Sequence, residues 1–239
     1  MRKKITVWLK SKIRNAKAKG VVIGLSGGLD SCVVGALAKD ALGKNKVLGL
    51  LLPCHSQKQD LADAKLFARK FGIKPKVIDL SDVYDTLVKV LPQADRMTKA
   101  NLRPRLRMLV LYYFARKFNY LVCGTSNKSE LMAGYFTKFG DGASDVLPIG
   151  DLLKTQVRKL AVELKIPQEI IAKPPAAGLW PGQTDEGEMG ITYDELDNIL
   201  GRKQSRQKQA MSLNKVKLVE SLIRLSEHKR QKPAVFNLK

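Results

Sequence analysis

The stretch VVIGLSGGLDS, residues 21–31, decides the fold of this 239-residue chain. The run from Val21 to Leu25 is rich in β-branched residues and predicts a short buried strand. Two glycines then allow a tight turn. The apolar spacing from Asp30 to Leu42 predicts a helix that stops at Gly43. A buried strand that turns directly into a helix is the first unit of an α/β sheet.

Strands and helices continue to alternate downstream of this unit. Strands are predicted at Lys46–Leu52, Lys76–Leu80 and Tyr120–Cys123, and helices at Gln57–Phe71, Asp82–Val90, Leu102–Phe118 and Leu152–Leu164. Asp151 is the expected N-cap of the last helix. The segments Phe136–Gly150 and Lys173–Ile191 are expected to be irregular, because Gly, Pro and Asp recur in them. This order predicts an α/β fold, a parallel sheet with helices on both faces and ligands beyond the carboxyl ends of its strands.

The charge of the chain is high and unevenly distributed. Lys and Arg number 43 against 22 Asp and Glu, a net charge of +21 that first suggests a nucleic-acid partner. Residues 1–20 hold eight bases and no acid, and residues 201–239 hold eleven bases and two acids, so the ends carry +17. The middle of the chain, residues 21–200, has nearly equal numbers of basic and acidic residues and is typical of a globular core. This distribution argues against a specific nucleic-acid partner.

Composition also bounds the class of protein and its compartment. Hydrophobic residues make up 44% of the chain, which excludes a disordered polycation, and no apolar run approaches the length of a membrane span. The cysteines, Cys32, Cys54 and Cys123, are scattered, so neither a zinc site nor a disulfide framework is predicted. With no secretory signal, we expect a cytoplasmic protein.

The loop between the first strand and its helix has the chemistry of a phosphate site. It comprises Gly24, Leu25, Ser26, Gly27, Gly28, Leu29, Asp30 and Ser31. Backbone N–H groups and a helix N-terminus favour a bound phosphate, and Asp30 is explained if it holds a Mg²⁺ ion that the phosphates share. The loop resembles the S-G-G-x-D-S pyrophosphate loop of the ATP pyrophosphatases. GMP synthetases, argininosuccinate-type synthetases and tRNA-modifying enzymes look similar there, so the loop alone leaves the substrate open.

A second group of polar residues follows the fourth strand. Thr125 lies at the strand end, where its side chain can face a nucleotide. Glu130 can supply a second carboxylate to the magnesium of Asp30. Lys138 and Lys154 can neutralise charge that builds on the phosphates.

The motifs around these residues are more specific than the loop. They read NLRPRLR at 101–107, GTSNKSE at 124–130, GYFTKFGD at 134–141, DVLPIGDLLKTQVR at 145–158, GQTDE at 182–186 and EHKRQKP at 227–233. GQTDE is followed by Leu196-Asp197, which is expected in the same irregular segment. In this order they resemble the ammonia-dependent NAD(+) synthetases, from about residue 20 to residue 235. The resemblance implies one synthetase domain over 1–239, of the Rossmann-like adenine nucleotide α-hydrolase type.

The resemblance also implies a reaction and its residues. ATP activates the nicotinate carboxylate of deamido-NAD, and ammonia then displaces AMP. The implied ATP contacts are the pyrophosphate loop Gly24–Ser31, Thr125, Lys154 and Ala176, and the implied magnesium ligands are Asp30 and Glu130. The implied deamido-NAD contacts are Arg105, Lys138, Asp145, His228 and Lys229. Asp141, Asp145 and Lys154 are the candidate catalytic residues, with Asp141 or Asp145 expected near the ring or the ammonia.

Four further expectations complete this reading. Only about 20 residues precede the first strand, so no glutaminase domain is expected and ammonia is the nitrogen donor. The family resemblance implies a homodimer. Ala176 departs from the Ser or Thr usual in the family, which removes a side-chain hydrogen bond to ATP. His55 is expected to be a loop histidine without a partner.

The competing hypotheses are a tRNA-modifying pyrophosphate-loop enzyme and a non-catalytic basic binding module.

Overall fold

The computed structural model describes residues 1–178, 180, 182–202 and 212–238. Leu179 of the Lys173–Leu179 segment lies outside the described residues, as do residues 203–211 and Lys239 of the basic C-terminal end. The strands are β1 Gly20–Gly24, β2 Val47–Leu51, β3 Lys76–Val77 and β4 Tyr120–Val122. They form one sheet in the order β3-β2-β1-β4, and every pairing is parallel. The predicted α/β class is confirmed.

Helices surround this sheet. They are α1 Arg2–Asn15, α2 Leu29–Leu42, α3 Lys58–Phe71, α4 Ser81–Val90, α5 Arg96–Ala100, α6 Leu102–Phe118, α7 Lys128–Ala133, α8 Lys154–Glu163, α9 Gln168–Ala172, α10 Asp185–Met189, α11 Tyr193–Arg202, α12 Leu213–Leu225 and α13 Glu227–Arg230. No helix in the described part of the chain is long and apolar enough to cross a membrane.

The two faces of the sheet bury alternate residues of its strands. Val21 and Ile23 of β1 pack with α1, α2, α3, α8 and α9, whereas Val22 packs with α4 and α6. A third apolar cluster joins α7, α10, α11 and α12 around the fully buried Tyr193. Because β1 is central and covered on both faces, its carboxyl end opens only toward the loops, which is where a ligand site is expected.

Three predicted boundaries are wrong for identifiable reasons. Strand β3 contains only Lys76–Val77, because its partner β2 ends at Leu51; beyond that point single hydrogen bonds continue, such as Ile78 N to Leu51 O. Helix α8 begins at Lys154, with Leu153 at the N-cap and the Gln156 side chain accepting from its N–H.

Asp151, the predicted N-cap, instead accepts a hydrogen bond from Lys128 at 2.8 Å and is 94% exposed. The segment predicted as irregular over Lys173–Ile191 contains α10, whose first turn is capped by the Thr184 hydroxyl. Leu196 and Asp197, which were expected to follow in the same segment, lie in α11.

Candidate active site

A chamber of about 850 Å³ opens beyond the carboxyl ends of β1, β2 and β4. The predicted site residues that line it are Gly24, Leu25, Ser26, Gly28, Leu29, Asp30, Ser31, Thr125, Glu130, Asp141, Lys154, Ala176 and Lys229. The remaining ones, Gly27, Arg105, Lys138, Asp145 and His228, lie outside its lining. Sequence motifs separated by up to 200 residues therefore meet around one space, at the sheet edge where the fold predicts a ligand.

The pyrophosphate loop is held in shape by its own serines. The Ser26 hydroxyl accepts from the Gly28 N–H at 3.2 Å and lies 3.1 Å from the Ser31 hydroxyl, which donates to the Gly28 carbonyl at 2.9 Å. Gly27 has φ of 83°, and a Cβ there would lie 2.2 Å from the Asp60 carbonyl, so only glycine fits. The turn brings the N-terminus of α2, with its partial positive charge, to the chamber wall.

Two partly buried carboxylates and one buried ammonium meet at the end of this loop. The Lys154 Nζ donates to the Asp30 Oδ2 at 2.5 Å and to the Glu130 Oε1 at 3.1 Å. Only 3% of the Lys154 side chain is exposed. Burial acts to lower the pKa of Lys154, but the two carboxylates outweigh it and hold the pKa above its ordinary value. Lys154 is therefore a fixed positive charge beside the phosphate loop.

Burial raises the pKa of Glu130 to about 7, against the opposing effect of the Lys154 charge. Its position is set by a capping box at the start of α7. The Asn127 side chain accepts from the Glu130 N–H at 3.0 Å, and Glu130 accepts from the Asn127 N–H at 3.2 Å. Asn127 also donates to Asp30 at 3.1 Å, so one amide ties the pyrophosphate loop to α7.

Sequence reasoning missed a second layer of residues behind these charges. The Tyr193 hydroxyl donates to Asp185 at 2.9 Å, and the Lys154 ammonium lies 4.9 Å from the centre of the Tyr193 ring. Asp197 accepts from the Ser129 hydroxyl and, at 2.7 Å, from the Thr155 N–H, which fixes α8 against α7. The motif GQTDE contained Asp185, but no local pattern assigned it a partner.

The loop that carries Ala176 is fastened to α3. The Lys173 Nζ donates to the Asp60 Oδ1 at 2.6 Å and to the Asp63 Oδ2 at 2.7 Å. Asp63 is buried, and Asp60 is the residue whose backbone packs on Gly27. The same turn of α3 thus supports the pyrophosphate loop on one side and the 173–178 loop on the other.

The residues implied as deamido-NAD contacts gather around the segment 134–141. Arg105 donates to the Lys138 carbonyl at 3.4 Å, and the Lys138 Nζ donates to the His228 carbonyl at 2.5 Å. Lys229 donates to the Phe136 carbonyl at 3.0 Å and reaches the chamber. A cluster of cations beside a chamber that contains a phosphate-type loop is suited to an anionic ligand.

Asp141 and Asp145 differ in what their carboxylates contact. Asp141 lines the chamber and accepts from the Thr137 N–H at 2.9 Å. Asp145 accepts from the Val122 N–H at 2.7 Å and from the Tyr112 hydroxyl at 3.4 Å, which turns it toward β4. Asp141 is therefore the better placed of the two to face a substrate.

His55 contradicts the expectation that it has no partner. Its Nε2 lies 2.8 Å from the Asp85 Oδ1, and its ring packs edge-on against Tyr84. Its backbone has φ of 51°, which turns the chain after β2 so that the ring reaches α4.

Comparison with known proteins accounts for this arrangement. The sequence profile of the family described as NAD synthase matches residues 1–233. A curated relative, the NH(3)-dependent NAD(+) synthetase of Carboxydothermus hydrogenoformans, is 46% identical, and the match covers 97% of this chain and 95% of that one.

Two solved structures are also similar over 99% of this chain and 97% of their own. The NMN synthetase of Francisella tularensis is 38% identical with a TM-score of 0.92. The NH3-dependent NAD synthetase of Campylobacter jejuni, in complex with a nitrate ion, is 29% identical with a TM-score of 0.86. On the profile match and the near-complete coverage, this chain belongs to the NAD synthase family.

Proposed function

We propose that this chain is an ammonia-dependent NAD(+) synthetase, a ligase that forms the amide of NAD(+) from deamido-NAD and ammonia with ATP as co-substrate. The observation that carries the proposal is the set of residues that the chamber brings together in a chain of the NAD synthase family. It joins a pyrophosphate loop to a Lys154–carboxylate cluster and to the substrate-side segment 134–141. The curated relatives favour this reading over a tRNA-modifying pyrophosphatase and over a non-catalytic basic module.

The proposed reaction has two steps. An oxygen of the nicotinate carboxylate attacks the α-phosphorus of ATP, the bond between the α and β phosphates breaks, and pyrophosphate leaves. Ammonia then attacks the acyl carbon, AMP departs with its phosphate oxygen, and the nitrogen gives up a proton to leave the amide. Because ATP activates the carboxylate, the protein needs no nucleophile of its own, and it acts by positioning and by charge stabilisation.

Charge stabilisation falls to the residues at the start of α2 and α8. Backbone N–H groups of the loop, Ser26 and Ser31 are placed to bind the β and γ phosphates of ATP. Lys154, fixed between two carboxylates, is placed to offset the negative charge that grows as pyrophosphate departs. Its burial strengthens this effect, since water does not screen it.

The donor set beside the loop suits a magnesium ion. Asp30 and Glu130 offer carboxylate oxygens next to the phosphate site, and hard oxygen ligands are the ones that Mg²⁺ prefers. The ion would be held by these two residues and by the phosphates, and when bound it would offset the charge of the triphosphate.

The substrate side is assigned by its charges. By their charge, Arg105, Lys138 and Lys229 are assigned to the carboxylate and pyrophosphate of deamido-NAD. Lys229 lines the chamber, whereas Arg105 and Lys138 lie beside it and the His228 carbonyl accepts from Lys138. Asp141 is placed to face the nicotinate ring or the ammonia. For Asp145 we propose a positioning role through β4.

The surface and the thiols support a homodimer and a cytoplasmic location. Exposed apolar side chains on α4 and α6 include Val83, Leu109 and Tyr113, at 52%, 60% and 61% exposure. This face, on the α4/α6 side of the sheet, supports a homodimer. Cys32, Cys54 and Cys123 are buried free thiols, which fits a reducing cytoplasm.

One assay tests the function. Purified protein with ATP, Mg²⁺, ammonium and deamido-NAD should produce NAD(+) and AMP in equal amounts. Nicotinate mononucleotide should be offered in parallel, because one similar solved structure is an NMN synthetase. Turnover of the mononucleotide alone would reassign the substrate, and AMP formed only when tRNA is added would overturn the proposal.

A further inference from the structure

A second cavity adjoins the catalytic chamber. Its volume is about 560 Å³, and it lies between the residues after β2, the α4–α6 region, Gly178 and Trp180. Ser56, Gln57 and Gly178 line both spaces, so the cavity is a side compartment of the chamber. The proposed assignments of ATP and deamido-NAD leave this compartment without a role.

The lining of this side compartment is cationic. It contains Arg96, Lys99 and Arg103, and none of its eleven residues is acidic. Carboxylates next to the lining already have partners: Asp85 accepts from the lining residue His55, Asp60 accepts from Lys173, and Asp95 caps α5 by accepting from the Thr98 N–H. Several positive charges that converge on one cavity without carboxylates favour a multiply charged anion.

Aromatic rings hold two of these cations in place. The Arg96 guanidinium lies 4.4 Å from the centre of the Trp180 ring, and the Arg103 guanidinium lies 5.0 Å from that of Tyr84. A guanidinium stacked on a ring loses side-chain freedom before any ligand arrives, and the stacking itself does not use its N–H groups. Such pre-organised Arg side chains suit the oxygens of phosphate groups.

We propose that the side compartment is a second phosphate-binding site, which receives pyrophosphate as it leaves the pyrophosphate loop. The choice of pyrophosphate rests on the proposed function, because that reaction releases this multiply charged product into the chamber, whose lining shares Ser56 and Gln57 with the side compartment. The side compartment is wide enough for two phosphate groups, and it lies on the α4–α6 side of the chamber, away from the Lys154 cluster.

Calorimetry can isolate this site from the chamber. The intact protein is first saturated with Mg²⁺ and α,β-methylene-ATP, which fills the pyrophosphate loop without turnover, and is then titrated with inorganic pyrophosphate. The expected result is one further binding event per chain. In the double variant Arg96→Gln/Lys99→Gln, the affinity for this second pyrophosphate should fall at least about tenfold, because each substitution removes a charge-assisted contact.

A matched control keeps the net charge of the variants equal. Lys65→Gln/Lys70→Gln removes two exposed cations of α3 that line neither cavity, and it should bind pyrophosphate as the unmodified protein does. Absence of binding when the chamber is filled, or an equal loss in both double variants, would overturn the proposal. The titration needs no turnover, so its outcome is independent of whether deamido-NAD proves to be the substrate.

Discussion

At the scale of single residues, the proposed chemistry rests on the cluster around Lys154. We expect Asp30→Asn and Glu130→Gln each to lower kcat at least about 100-fold, because each removes a carboxylate proposed to hold the Mg²⁺ ion that offsets the phosphate charge. NAD(+) formation and the circular dichroism spectrum measure activity and fold, and the spectrum should not change. Asp151→Asn, which alters a 94% exposed carboxylate, is the control and should be near normal. Rates within twofold of normal in either site variant would remove the magnesium assignment.

Lys173 supports a second prediction, about ATP affinity. Its two ion pairs hold the loop that carries Ala176, where the hydroxyl usual in the family is missing. Lys173→Met should therefore raise the KM for ATP about tenfold, the worth of one charge-assisted contact, with little change in kcat. Lys173→Arg should recover much of the loss. Steady-state kinetics over a range of ATP concentrations measures both, and an unchanged KM in the Met variant would contradict the role.

The sequence could predict a site residue only where that residue belongs to a recognisable local motif and also contacts the other site residues in the fold. Asp30, Glu130 and Lys154 lie in recognisable motifs, and they do meet in the chamber. Tyr193 and Asp185 reach the same cluster only through the packing of α10 and α11, which no local spacing reveals. In the same way, the choice between Asp141 and Asp145 depends on the path of an irregular loop.

At the scale of elements, one residue at the start of α7 serves both the helix and the site, because Asn127 caps the helix and also contacts Asp30. Asn127→Ala removes the N-cap and the hydrogen bond to Asp30. The free energy of unfolding should fall by about 1–2 kcal/mol, and turnover should fall as well. Urea denaturation and the NAD(+) assay measure the two effects. Asn119→Ala, at the C-cap of α6, should lower stability without a comparable loss of activity; a normal rate in Asn127→Ala would show that the cap is structural only.

Element boundaries show where sequence patterns fail. Helix α6 occupies Leu102–Phe118 as predicted, since a strong apolar pattern is followed by Asn119 in a left-handed conformation. Asp151 was mistaken for a cap because an acidic residue before a helix is a common N-terminal signal, whereas Gln156 performs that task from inside the helix. The length of β3 was overestimated, because a strand can pair only as far as its neighbour extends.

At the scale of the whole molecule, the exposed apolar face of α4 and α6 makes the assembly testable. Leu109→Asp or Tyr113→Asp places a charge where a partner chain would bury it, and such burial is costly. Sedimentation velocity should show a dimer for the unmodified protein and a monomer for either variant. Val7→Asp, at an equally exposed apolar residue of α1, should remain dimeric. A monomeric unmodified protein would contradict the proposed homodimer.

The distribution of charge makes a second prediction at this scale. Helix α1 packs on α2 through Leu9 and Ile13, on the sheet face opposite α4 and α6. Its packing leaves Lys3, Lys10 and Arg14 exposed, and no acid occurs among the first 20 residues. We therefore expect weak, sequence-independent adhesion to duplex DNA that declines steeply as salt rises, because each neutralised phosphate releases counterions.

Fluorescence anisotropy with duplexes of unrelated sequence, from 50 to 200 mM salt, measures this adhesion. If about three phosphates are neutralised, affinity should drop by a factor of about 40 over that range. Lys3→Gln/Lys10→Gln/Arg14→Gln should flatten the salt dependence and leave NAD(+) formation unchanged, since α1 lies outside the chamber. Binding that depends on DNA sequence and persists at high salt would contradict this prediction. It would indicate a specific nucleic-acid role, which the near-neutral charge of the middle of the chain argues against. An unchanged slope in the triple variant would assign the adhesion to the C-terminal bases.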